Sequence, residues 1–417
     1  MLGRFNLEKT YQYLLISLAF LMPLTVAGAN TIIVIICLLW LFSGGYITKL
    51  KEIISSKLLV ASILFYFLHI IGLVWTDDLK WGFHMLHKMW YFLLLLPVLF
   101  CIMKKQYIRP IIFAFLVAIA ITEVISYLIW FEIIAPFKSA IVSNPTPFMS
   151  HISYNPILAF AIYLVCHEIF LNKNLSKFQF FLYSFFSISM TFNMFITGGR
   201  AGQIMFFAAI AVLIFQFFNA EKIKSLFIII ITIPTIFFSA YQISDLFKER
   251  VDSAITDIIR FEGVNVDKRV WSGKDTIYDL ANINTPVGER ISYAVYSWKI
   301  FSTSPIIGVG TGDFPNEYEK LNKIYSPRMV TTNHPHNMYS LIGVQLGLIG
   351  LLSFMSIFYF QIMQSFKSSS RFIRDVGITL PLMYILIMLS DSYLLGHYTT
   401  LMFVLFSSFL YKDFEKT

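Results

Sequence analysis

Charged side chains are scarce in this chain. Asp, Glu, Lys and Arg make up 13% of its 417 residues, about half the share usual in soluble domains. Cysteine is nearly absent. Cys37, Cys101 and Cys166 all fall inside apolar runs, so no disulfide framework is implied and the thiols read as inert packing residues. Internal repeats of soluble type and low-complexity linkers are also missing. Hydrophobic residues instead fill 57% of the chain, with Phe alone at 43 positions, and mean hydropathy is +0.70. A soluble protein of this size could not hide so much apolar surface, so the natural solvent is lipid. That excludes a cytosolic enzyme, a disordered chain and a small secreted protein.

A membrane span needs roughly 17–25 apolar residues. Twelve candidates are found, at 11–29, 31–46, 57–76, 89–103, 108–134, 154–171, 178–197, 201–218, 224–241, 337–364, 376–393 and 397–411. The expected fold is all-α: a polytopic integral membrane protein of about 12 transmembrane helices with one large, mostly helical loop on the outer face. Val26-Ala27-Gly28-Ala29 mimics a signal-peptidase site. A second apolar run follows at Thr31, so residues 11–29 are read as a retained span.

The formal charge of +8 would raise nucleic-acid binding in a soluble protein. Here it reports orientation. With the N-terminus inside, the inner segments carry seventeen Lys and Arg, and the short outer ones only Lys80, Lys88, Lys138 and Arg200. The rest of the basic residues lie in 242–336, a segment long enough to escape the positive-inside rule. Both termini are therefore expected in the cytoplasm, and no nucleic-acid partner is expected. The organisation reads as spans one to nine in 1–241, a large outer loop in 242–336, and spans ten to twelve in 337–417. Ile291 to Trp298 has the pattern of an amphipathic helix within that loop.

Polar groups at span ends carry the chemistry in such a chain. Thr197-Gly198-Gly199-Arg200-Ala201-Gly202 turns at the outer surface. Its glycines, Gly199 among them, free backbone amides toward an anion, and Arg200 offers a planar guanidinium suited to phosphate. An arginine snorkelling to headgroups is the alternative. Arg290 opens the amphipathic stretch, either as a solvated helix charge or as a second phosphate ligand. Gly308, Gly310 and Gly312 read as a turn-rich loop, because no trailing Lys-Ser/Thr supports a nucleotide loop. In Asn333-His334-Pro335-His336-Asn337, two imidazoles stand where the chain enters the membrane. Either could take a proton near neutral pH. Zinc or copper is the rival reading, but no cysteine and no clear third ligand lies nearby. Glu123 and Asp391 are carboxylates near membrane depth, Asp77-Asp78 could hold a divalent metal but reads better as a polar loop, and Lys88 could add charge to a phosphate site or snorkel.

One resemblance joins these residues. His336-Asn337, nine positions, then Gly347-Leu348-Ile349-Gly350 resembles the O-antigen ligase pattern of His, Asn/Ser/Gln, nine residues and Gly-x-x-Gly. Arg200 and Arg290 also fall where that superfamily carries its arginines. The resemblance implies a bacterial inner-membrane glycosyltransferase with its active site on the periplasmic side. Such an enzyme moves a glycan from undecaprenyl diphosphate to a hydroxyl of the lipid A–core oligosaccharide, with no cofactor and no required metal. It implies His336 as base, Arg200 and Arg290 with Lys88 on the donor diphosphate, and Asn337 orienting the imidazole or substrate. His334 lies outside the strict pattern. O-antigen polymerases and protein O-glycosylation ligases of the same superfamily share much of this pattern. A lipid-linked glycan transporter is a further alternative, against which the polar residues cluster at the outer edge. Gly347 and Gly350, one turn apart, are expected to admit another helix or a lipid chain.

Overall fold

The computed structural model describes residues 6–138, 140–219, 221–263, 286–325 and 331–414. Arg4 and Lys416, both counted in the inner charge, lie outside these residues. The described chain is helical, and its only β-type pairing is an isolated bridge between Ile141 and Asn144. In order, the first helices are α1 (Leu7–Leu21), α2 (Val26–Phe42), α3 (Tyr46–Ser55), α4 (Lys57–Ile71), α5 (Leu79–Trp90), α6 (Leu96–Ile102) and α7 (Ile108–Trp130). Then come α8 (His151–Leu171), α9 (Lys177–Ile196), α10 (Arg200–Phe218), α11 (Lys222–Ile243) and α12 (Asp245–Gly263). The last are α13 (Pro286–Thr303), α14 (Phe314–Tyr325), α15 (Met338–Ser365), α16 (Arg371–Ile387) and α17 (His397–Leu410).

Among the described residues, eight helical rods are long and apolar enough to cross a membrane, or nine if α2 and α3, bent by 115°, count as one span. One rod, Leu79–Ile102, joins α5 and α6 through a π-helical turn at Tyr91–Leu95. The predicted spans at 11–29, 376–393 and 397–411 are also helical, but α1, α16 and α17 have only 15, 17 and 14 residues. The expected boundary of the first span is wrong. The chain turns at Met22–Thr25 rather than near Asn30, because Pro23 interrupts the helix and the Thr25 hydroxyl caps α2 by accepting from the Gly28 amide at 3.3 Å.

Side-chain contacts sort the helix ends into two groups. At one end, Lys104 pairs with Glu8 at 2.9 Å and Lys412 with Glu52 at 2.8 Å. Asp375, near the start of α16, contacts His167 of α8, and its carbonyl accepts from Gln216 at the end of α10. At the other end, the Met338 amide that opens α15 donates to Met388 just past α16, at 2.9 Å. Tyr384 donates to the Thr399 carbonyl in α17. The starts of α10, α15 and α17 therefore share an end with the close of α16. That end also receives α13 and α14.

The loop between α13 and α14 is sewn into the bundle at Gly347. This glycine sits at φ 63 and ψ −157 inside α15, a region essentially closed to residues with a Cβ. The break releases helical partners. The Val344 and Gln345 carbonyls accept from Val309 and Gly310 at 2.9 and 3.1 Å, and the Leu348 and Ile349 amides donate to Pro305 and Ile306 at 2.9 and 3.2 Å. A Cβ on Gly347 would lie 2.3 Å from the Ile306 carbonyl carbon. Gly347 thus admits a loop rather than the helix or lipid chain expected, while a Cβ on Gly350 would meet Leu346 and Ile342 of α15 itself. Farther along, the buried Asp313 carboxylate accepts the Thr76 hydroxyl at 2.6 Å and the Asp77 and Asp78 amides at 3.0 and 2.9 Å. Asp78 in turn caps α5 by accepting from the Trp81 amide. The Asp77-Asp78 pair is accordingly a structural loop, as read.

Gly347→Ala is expected to lower thermal stability in detergent by several degrees, because strained φ and backbone collision act together. An unchanged unfolding midpoint would show that the loop does not depend on this break.

Candidate functional site

The histidine motif runs into α15 without a gap. Asn337 is the N-cap: its side chain accepts from the Ser340 amide at 3.0 Å and donates to the Leu389 carbonyl at 3.1 Å. Its visible task is thus to fix the helix start against the 388–396 link, rather than to touch the imidazole. His336 precedes it at φ 49, left-handed backbone that costs a residue with a side chain of order 1–3 kcal/mol and concentrates at functional sites. The backbone amide of His336 donates to Nδ1 of His334 at 3.4 Å, and the two rings stand 4.2 Å apart. Tyr293 of α13 stacks on His336 at 5.6 Å.

Asp391 supplies the charge that faces these rings. Its Oδ1 lies 3.3 Å from Nδ1 of His336 and 3.8 Å from Nδ1 of His334. The His336 Nδ1 is shielded from solvent and makes no fully aligned hydrogen bond, so the contact is a close approach of imidazole and carboxylate that can tighten when substrate binds. Burial pushes the Asp391 carboxyl up, but its contacts with His336, the Ser392 amide and His334 together outweigh burial and leave the group below its ordinary range. Burial lowers the His334 imidazole, the His336 charge lowers it further, and Asp391 partly restores it. His334, His336 and Asp391 each offer a ligand atom within 4.8 Å of the others. The sequence reading found no third ligand near the histidines, and the fold brings one from beyond α16.

Arg290 belongs to this cluster electrostatically. Burial and the Asp391 charge raise the Tyr393 phenol, and the Arg290 charge pulls it back. Arg290 is exposed on α13, one turn before Tyr293. Half-buried Lys88 on α5 stands close enough for its charge to act on His397. His397 Nδ1 is 2.7 Å from the Tyr91 hydroxyl.

Arg200 opens α10 at the same end of the bundle. Asn144 braces its turn: Oδ1 accepts from the Gly198 amide at 3.1 Å, and the amide group contacts His151 at 2.9 Å. Gly199 is required by proximity, since a Cβ there would meet the His151 carbonyl oxygen at 2.6 Å. The Arg250 charge of α12 reaches His151. Tyr398 of α17 donates to the Phe148 carbonyl at 2.9 Å, tying the loop that holds Asn144 to the helix that begins at His397. Arg200, Arg290, Lys88 and His336 thus line one end, around the starts of α10, α15 and α17. Glu123 is elsewhere, buried within α7. Sequence reasoning missed Asn144, His151, Tyr293 and Arg250, and did not pair Asp391 with the histidines. Only the His-x-His spacing and the membrane-depth carboxylate signalled that last contact.

Residues 185–355 match the family model described as O-antigen ligase. The match spans Arg200, Arg290, His336, Asn337 and both glycines, and leaves Lys88 and Asp391 outside it. No curated protein matches the chain.

Asp391→Asn is expected to move the His334 titration to lower pH, because the carboxylate favours the imidazolium. Histidine NMR in detergent reads this directly, and an upward shift would mean that the carboxylate does not face the ring. The depressed imidazole also sets a sign for stability. An unfolded histidine titrates near about 6.5, so stability is full above that pH and falls as pH drops below it.

Proposed function

We propose, from the match of residues 185–355 to the O-antigen ligase family model, that the protein is an inverting membrane glycosyltransferase. The donor is a glycan on undecaprenyl diphosphate, and the acceptor is a hydroxyl of the lipid A–core oligosaccharide. The reaction lies at the periplasmic face of a bacterial inner membrane, with both termini in the cytoplasm. The positive-inside count supports that orientation. The observation that carries the proposal is the 3.3 Å approach of His336 to Asp391 beneath Tyr293 of α13, the helix that carries Arg290 one turn earlier.

The chemistry follows from the residues. Asp391 facing Nδ1 favours a proton there and leaves Nε2 of His336 as the acceptor. Nε2 takes the proton of the acceptor hydroxyl, and that oxygen attacks the anomeric carbon. The bond from that carbon to the diphosphate oxygen breaks, and the diphosphate leaves with the electron pair. Direct displacement inverts the anomeric centre. Arg200, Arg290 and Lys88 offset the charge that grows on the leaving group, which removes the need for a general acid. Asp391 offsets the new imidazolium, and His334 fixes the His336 backbone.

Two readings compete within this site. Transfer to a growing polyprenyl-linked chain would make the protein a polymerase, and transfer to a protein hydroxyl a protein O-glycosylation ligase. Product analysis with each acceptor separates them. The three close ligand atoms favour a second reading, in which His334, His336 and Asp391 hold a divalent cation.

His336→Ala is expected to abolish transfer while the protein still inserts. Parental activity in that variant would remove the base assignment. Arg290→Ala should cost about 10²–10³ in turnover, the usual loss of one charge-stabilising donor. Arg200→Lys should also be impaired, because the planar fork is lost. Transfer should survive strong chelation, and loss of activity restored by added Zn²⁺ or Mg²⁺ would favour the cation instead.

A further inference from the structure

At the opposite end of α15 from His336 lies a cavity of about 740 Å³. It is walled by the starts of α7, α9 and α16 and by the ends of α8, α15 and α17. Three helix starts and three helix ends meet here, so their dipoles largely cancel and the charge of the cavity is set by its side chains. Lys105, Arg109 and Lys367 line its mouth, and all three are exposed.

These three cations differ from their neighbours. Lys104 is paired with Glu8, Lys412 with Glu52, and Arg371 and Arg374 with Asp375. Among the described residues, Lys105, Arg109 and Lys367 make no ion pair. Two acids also line the cavity, Glu168, which accepts from Asn172 at 2.7 Å, and Asp413, but the lining cations Lys105, Arg109, Lys367 and Lys412 outnumber them.

The rest of the wall is apolar. Ile112, Phe113 and Leu116 continue from Arg109 along α7, facing Tyr183 and Phe372. Phe113 is 67% exposed, so this wall runs out onto the surface that hydrocarbon covers. Cations at a helix-end rim above an apolar wall match one ligand chemistry: a phosphate group carrying an acyl chain.

We propose that this cavity binds an anionic phospholipid. Lys105, Arg109 and Lys367 hold the headgroup phosphate, and an acyl chain lies along Phe113 and Leu116. By the positive-inside count this is the cytoplasmic leaflet, where anionic headgroups meet basic clusters. The site is separate from the transfer chemistry, and neither reading depends on the other.

The test uses the full chain purified in mild detergent and exchanged into nanodiscs of phosphatidylcholine, with or without phosphatidylglycerol. Native mass spectrometry should show bound phosphatidylglycerol in clear preference to phosphatidylcholine, and that lipid should raise the unfolding midpoint. Lys105→Gln, Arg109→Gln and Lys367→Gln combined should weaken retention roughly a hundred-fold, at about five-fold per basic residue near a charged lipid. His336→Ala should keep the full response, which separates this outcome from failure of the transfer reading. If the triple variant does not fold, Arg109→Gln and Lys367→Gln alone should each weaken retention about five-fold. Equal retention in these variants overturns the proposal. So does inorganic phosphate raising the midpoint as much as the lipid, because the cavity would then be an anion site without a chain.

Discussion

One glycine that cannot stay helical joins the outer part of this protein to its membrane bundle. The break at Gly347 trades helical hydrogen bonds for four backbone bonds with residues 305–310. In hydrocarbon an unsatisfied amide or carbonyl costs several kcal/mol, so irregular backbone persists there only where protein covers it. Here the loop is that cover. The same exchange fixes where α13 ends, and therefore where Tyr293 and Arg290 stand relative to His336.

The site depends in turn on a short link. Residues 388–396 carry Asp391 and Tyr393, and they are held from both sides. Met338 and Asn337 bond the Met388 and Leu389 carbonyls, while Tyr384 bonds across to α17. This explains how a motif residue can matter without touching substrate: Asn337 sets the helix start and the carboxylate-bearing link together. His336, in left-handed backbone between a neighbouring imidazole and a stacked tyrosine, has little freedom to turn away from Asp391.

Much of the architecture was legible in the chain. Spans are written as runs of apolar residues, because lipid cannot solvate an open backbone, and eight of them recur at full length. Boundaries were less legible. Pro23 and Thr25 moved the first turn, while α16 carries Asp375, Arg371 and Arg374 because they satisfy one another and His167 at the bundle's end. The glycine spacing near His336 was visible, but its use was not: a pair one turn apart looks the same whether helix, lipid or loop approaches.

Residue type and order alone determined the solvent, the helical class, the charge asymmetry, and the placing of histidine and arginines at span ends. Each of these follows from hydropathy or from short-range spacing along the chain. Only the tertiary structure decided that Asp391 faces both histidines, that Tyr293 covers one of them, and that Asn144 braces the turn before Arg200. Those contacts join residues 43 to 57 positions apart. Their pairing is set by which helix ends meet, which is a property of the packed bundle and leaves no periodic trace in any one segment.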